Sequence, residues 1–257
     1  MSAGIKQLVR KVFRSTGFEL VRIVSPKDAA RSGEECALRD AAILQRIGPF
    51  TMTSEARVLA LVDAVRYLSR YRIPGAIVEC GVWRGGSMMA AALALLEADD
   101  TGRELFLYDT FEGMSAPTDA DRSFDGVSAA AQLEREQPKT GLWCYAGFDE
   151  VKANLASTGY PAERIHFVRG KVEETIPATL PGQIALLRLD TDWYESTRHE
   201  LTHLYPLLVE NGVLIIDDYG HWQGARRAMD EYVASLGRPM LLNRIDYTGR
   251  IAVKTSS

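Results

Sequence analysis

Four aspartates close two apolar runs of the chain: Asp190 and Asp192 end IALLRLDTD, and Asp217 and Asp218 end GVLIIDD. Carboxylates gathered at one sheet edge repel one another unless a cation lies among them. Hard divalent ions such as Mg²⁺ take oxygen ligands in octahedral geometry and keep places for water or a substrate oxygen, which suits a few carboxylates at an open strand edge. Asp190 and Asp192 stand two apart and are expected on one side if strand geometry persists, whereas Asp217 and Asp218 need a turn between them. A lone aspartate after a strand commonly caps a helix or forms an Asx-turn, but four at the ends of neighbouring strands point to a metal centre. His221 follows the Asp217–Asp218 pair and is a second candidate for substrate contact or for a base. His199 and His203 share one helix face without a full HExxH or a third ligand, so a capping or solvated role is expected of them.

A second constellation is VECGVWRGGS, in which Glu79 and Gly81 end a strand and Gly85, Gly86 and Ser87 open a helix. Glycines there allow a tight turn and close backbone approach to a ligand, and a helix N-terminus offers free N–H groups. The spacing is neither GxGxxG nor a P-loop, so a dinucleotide pyrophosphate fits poorly. Asp109, ending the next strand in LFLYDT, stands where a carboxylate accepts hydrogen bonds from ribose hydroxyls. A nucleoside without a phosphate tail is the expected ligand.

The elements that must position these residues alternate. Residues 1–50 read as a partly helical N-terminal extension, a candidate lid or oligomer contact. The catalytic domain is expected over 51–257. SEARVLALVDAVRYLSRY is an amphipathic helix behind a Ser54 cap. Strands are expected at 76–80, 105–109, 165–169, 184–190 and 212–218, with helices between them and a terminal antiparallel hairpin around a Tyr247–Gly249 turn. The fold class is therefore α/β, a doubly wound Rossmann-like sheet of about seven strands, whose ligands bind beyond the carboxyl ends of the strands. Thr110 to Gly147 is too long and too rich in proline, glycine and acid for one element; Glu112, Asp119, Asp121, Asp125, Glu134 and Glu136 either line an acceptor entrance or solvate a lid.

Composition sets the outer bounds. The chain has 257 residues, 46% hydrophobic and 25% charged, with a formal net charge of -4, which describes a full apolar core and disfavours nucleic acid as a partner. Cys36, Cys80 and Cys144 leave one cysteine over in any pairing and show no zinc spacing, so a reduced, cytoplasmic protein is expected. The basic N-terminus carries Ile5, Leu8, Val9, Val12 and Phe13 at helical spacing without the apolar length of an integral membrane segment; packing on its own domain or on a second subunit is favoured over a membrane surface.

Read in order, VECGVWRGGS, YDTFEGM, GKVEETIP, LRLDTDWYEST and IIDDYGHWQGARRAMDEY resemble the macrocin O-methyltransferase family of class I S-adenosylmethionine-dependent methyltransferases, over roughly residues 45 to 255. The resemblance implies methylation of a sugar hydroxyl of a glycoside, natural product or glycan, with Mg²⁺, commonly by a homodimer. It implies Asp190, Asp217 and Asp218 as Mg²⁺ ligands and Asp192 as general base. Around S-adenosylmethionine it places Glu79, Gly81, Asp109 and the Met52–Thr53 segment, with Val82, Gly86, Ser87, Thr110, Gly170 and Asp190 completing the set. Residues 1–45 and 115–146 depart most, and they are expected to decide the acceptor. A catechol-type phenolic O-methyltransferase and a non-catalytic nucleoside-binding protein are the alternatives.

Overall fold

The computed structural model describes residues 35–135 and 143–256. The amphipathic segment expected around Ile5–Phe13 lies outside the described residues, and of the 1–50 extension only residues 35–50 are described. Residues 43–257 form one compact unit, the one described below.

The strands are β1 (Ala76–Cys80), β2 (Leu105–Asp109), β3 (Ile165–Arg169), β4 (Ile184–Leu189), β5 (Leu208–Ile216), β6 (Asn243–Arg244) and β7 (Arg250–Val253). They form one sheet in the order β3-β2-β1-β4-β5-β7-β6. Pairing is parallel from β3 through β5, and β7 runs antiparallel to both β5 and β6. The order reverses between β1 and β4, which opens a crevice at their carboxyl ends. The helices are α1 (Glu35–Ile47), α2 (Glu55–Arg70), α3 (Gly86–Glu97), α4 (Ala129–Arg135), α5 (Phe148–Ala156), α6 (Val172–Thr175), α7 (Tyr194–Leu204) and α8 (Gln223–Ser235).

The continuous apolar runs of β1 and β4 are buried on both faces. Successive residues serve opposite cores: Ile77, Leu105, Leu186 and Val213 pack with Val62 of α2, Met89 of α3 and Leu155 of α5. Val78, Tyr108, Leu187 and Leu214 pack with Leu201 of α7 and Met229 of α8. Alternation of Cβ direction along each strand is the cause.

The expected elements are present, with two refinements. The strand expected at 212–218 runs from Leu208 to Ile216, and the one expected at 184–190 ends at Leu189, so Asp190, Asp217 and Asp218 all stand just past regular pairing. The long segment after β2 contains α4 and is tied down at Asp121, which is fully buried. Its Oδ1 accepts the Tyr194 amide at 2.8 Å and its Oδ2 accepts the Thr118 amide at 2.7 Å. Asp121 is therefore a fastening between this segment and α7, and neither expectation for the acidic residues describes it.

Ser54 caps α2 as expected: its Oγ accepts the Arg57 amide at 3.3 Å and donates to Asp246 Oδ2 at 2.6 Å. Ser54→Ala is expected to lower stability by about 1 kcal/mol, the usual cost of an N-cap, read as a fall in the urea midpoint at constant slope. An unchanged midpoint would reject the cap as a stabilising contact.

Candidate active site

The sheet's own ladder aligns the candidate residues. Gly81 N–H donates to Tyr108 O, Asp190 N–H to Cys80 O and Asp217 N–H to Leu189 O, each at 2.9 Å, so the chain ends of β1, β4 and β5 stay in register one residue beyond pairing. Gly81 has φ +81°, and a Cβ there would lie 2.0 Å from the Asp190 carbonyl oxygen. Only glycine lets the two backbones meet, which explains its place after the first strand. At Gly86 a Cβ would strike the Phe50 carbonyl at 2.5 Å, so the segment preceding α2 lies on the first turn of α3. No side chain caps that turn.

The crevice is a cleft of about 430 Å³ whose lining includes Met52, Thr53, Gly81, Val82, Gly86, Ser87, Asp109, Asp190, Asp192, Asp217, Asp218 and His221. A smaller adjoining cavity shares Gly81, Asp109 and Asp190 and adds Thr110 and Gly170. Every candidate site residue thus borders one or both spaces except Glu79, which is 1% exposed and lies behind the wall. Asp109 is committed to the turn: Oδ2 accepts the Val82 and Trp83 amides at 2.6 and 3.1 Å, and Oδ1 accepts Phe111 at 2.7 Å. A ribose contact would use its remaining lone pairs.

Asp190, Asp217 and Asp218 each offer a ligand oxygen, all within 4.8 Å of one another, and theirs is the one such cluster among the described residues. Asp192 is placed differently from the strand-based expectation. The strand has ended, Asp192 adopts φ +65°, and its amide donates to Asp218 Oδ2 at 3.1 Å. The left-handed turn, rather than β alternation, brings its carboxyl to the cleft.

Two arginines that the motif reading did not name hold the cluster. Arg188, 3% exposed, donates through Nη1 to Glu79 Oε1 at 2.5 Å and Asp190 Oδ2 at 2.7 Å, and through Nη2 to Asp217 Oδ1 at 2.6 Å and Thr53 Oγ1 at 3.2 Å. Arg57 contacts the other Asp217 oxygen through Nη1 and Asp246 Oδ2 through Nε at 3.0 Å. A signal for Arg188 was present: an arginine inside the otherwise apolar run IALLRLD needs buried counter-ions.

The carboxyl groups still outnumber the guanidiniums. Burial pushes Glu79 up to about 7 against the pull of Arg188. Asp192 is pushed up to about 7 by its enclosure and then by Asp190. Burial also raises Asp190 and Asp218 well above the usual carboxylate range; Arg188 opposes this for Asp190, while neighbouring aspartates reinforce it for both. Surplus negative charge on hard oxygen donors fits a divalent cation. Asp217 can join it through second lone pairs or by releasing Arg57.

The candidate histidines are placed differently from one another. His199 Nε2 lies 2.9 Å from Ile176 O, a structural contact, whereas His221 borders the cleft and shares a 2.8 Å hydrogen bond with Tyr247.

The family profile described as macrocin-O-methyltransferase (TylF) matches residues 9–253. A tetracenomycin relative from Streptomyces olivaceus, 8-demethyl-8-(2,3-dimethoxy-alpha-L-rhamnosyl)-tetracenomycin-C 4'-O-methyltransferase, is 34% identical over 77% of this chain and 73% of its own. Mycinamicin III 3''-O-methyltransferase from Micromonospora griseorubida is 32% identical over 71% and 69%. The solved structure of the O-methyltransferase NovP superposes with a TM-score of 0.69 at 29% identity, covering 80% of this chain and 83% of that one. Among the described residues no helix is long and apolar enough to cross a membrane.

Proposed function

This chain belongs to the macrocin O-methyltransferase family of S-adenosylmethionine-dependent enzymes, and from that premise we propose that it methylates a sugar hydroxyl of a glycosylated natural product in a Mg²⁺-dependent reaction. The observation that carries this reading is the convergence of Asp190, Asp217 and Asp218 on one point beside Asp192 and the glycine turn.

Asp190, Asp217 and Asp218 would hold the cation, which when bound supplies Lewis-acid lowering of a hydroxyl's pKa. Gly81, Val82 and the first-turn amides of Gly86 and Ser87 bind the methyl donor, with Met52 and Thr53 at its amino-acid end and Asp109, Thr110 and Gly170 towards its nucleoside. Asp192 accepts the hydroxyl proton on its carboxylate as the oxygen attacks the methyl carbon, the carbon–sulfur bond of the donor breaks, and its electron pair leaves on the sulfur of S-adenosylhomocysteine. Thr53 is fixed by Arg188, so the donor segment and the carboxylates keep one relative position, which is where much of the acceleration arises. Homodimer formation and a cytoplasmic location belong to the same proposal.

The test is mass-spectrometric: pooled glycosides are incubated with S-adenosylmethionine and Mg²⁺, and a gain of about 14 daltons, one CH₂, is sought with and without chelator. Methylation of glycosides that chelation abolishes is expected. Activity indifferent to chelation would reject the metal, and preference for a parallel catechol panel would replace the acceptor class.

A further inference from the structure

Three aromatic rings from three separate segments meet around His221, which borders the cleft: Phe124 from the segment after β2, His221 itself from the turn before α8, and Tyr247 from the hairpin turn. Phe124 stands 5.8 Å from His221 and 5.6 Å from Tyr247, centroid to centroid, and His221 stands 5.9 Å from Tyr247. The last two pairs meet nearly edge to face, at 84° and 82°. Despite this packing Phe124 is 62% exposed and Tyr247 47% exposed. Large apolar side chains grouped in solvent mark a surface that something covers.

Backbone bonds hold the group still. Ser123 bridges Trp222, and the Gln223 amide donates to Arg122 O at 2.8 Å, which sets Phe124 over α8. Gly220 donates to Thr248 O at 2.9 Å, which sets Tyr247 beside His221. Rings already fixed by the fold lose little freedom when a ligand stacks on them. The platform reaches the cleft through His221, which lines the space that holds the carboxylates, while Phe124 borders a neighbouring cavity that shares His221 and Trp222 with it.

Building on the glycoside reading above, we infer that Phe124, His221 and Tyr247 form the subsite for the flat, apolar aglycone of the acceptor. Hydroxyls of the reacting sugar find polar partners on the cleft lining, at Arg57 and Asp192. The rings offer mainly π faces and C–H edges, and His221 Nδ1 is engaged with the Tyr247 hydroxyl. An aglycone joined to a sugar held in the cleft extends outward over that rim, where aromatic stacking and apolar burial favour a planar group.

The test titrates p-nitrophenyl α-L-rhamnoside and methyl α-L-rhamnoside into protein saturated with S-adenosylhomocysteine and Mg²⁺. The sugar is chosen because one relative's named substrate carries a rhamnosyl group. The aryl glycoside is expected to bind about tenfold more tightly, about 1.4 kcal/mol. Phe124→Ala and Tyr247→Ala should erase that advantage, and Phe124→Tyr, which keeps the ring, should retain it. Equal affinity of the two glycosides for the unaltered protein, an aryl preference that survives both alanine variants, or no binding of either glycoside overturns the subsite. A separate titration of S-adenosylhomocysteine into the protein alone tests the donor site by itself, so that the subsite can fail while the methyltransferase reading stands.

Discussion

Replacing Asp192 by asparagine is expected to slow single-turnover methyl transfer by about 10²–10⁴-fold, the range a general base contributes. The substitution isolates chemistry from structure. Asp192 sits at φ +65°, a conformation that asparagine tolerates nearly as well as aspartate, so the turn and the amide contact to Asp218 persist. The amide side chain is isosteric with the carboxylate but does not accept a proton at neutral pH. Donor affinity, measured with S-adenosylhomocysteine, should therefore remain near that of the unaltered protein. A single-turnover rate equal to the original would remove Asp192 from the role of base, and a parallel collapse of donor binding would make it a structural residue.

The second large effect concerns folding. Arg188→Met removes a guanidinium that is 3% exposed and leaves Glu79, Asp190 and Asp217 facing one another without it. Breaking a buried ion pair from one side costs about 3–5 kcal/mol, because the partner charge stays behind. Glu79 makes this worse, since its Oε2 already lacks a hydrogen-bond partner. Denaturant unfolding without added metal should show the loss. Adding Glu79→Gln to Arg188→Met should recover part of it, because the most deeply buried of the stranded charges is then gone. A loss below about 1 kcal/mol, the scale of an ordinary surface pair, would mean that the network is not a stabilising core of the site.

The sheet was legible because its signals are local. AIVEC, LFLYD and IHFVR each carry an apolar run bounded by turn residues, and each is a strand over those same residues. The aspartates were legible because they interrupt apolar runs at strand ends, where the fold class puts ligands. Arg57 and Arg188 were harder to read. Arg57 lies on a helix 160 residues from Asp217, and sequence spacing carries no information about which cation reaches which carboxylate. Asp192 borders the cleft for a reason that its spacing from Asp190 does not contain, since its direction depends on a left-handed turn that a period-two pattern does not encode. Asp121 looked like its acidic neighbours and differs from them only through burial, which depends on the packing of the 118–123 segment against α7.

Asp246 gives the site an order of assembly. It bonds Ser54 Oγ and Arg57 Nε, residues 192 and 189 positions earlier, and lies in the turn between the last two strands. During synthesis the helix cap, the glycine turn and all four aspartates leave the ribosome before the residue that completes their charge network. Until that turn arrives, Arg57 has no Asp246 to share it and the carboxylate edge lacks its outer brace. The final hairpin is thus the closing step of the active site as well as of the sheet, and a nascent chain that lacks it carries the chemistry's residues without their finished arrangement.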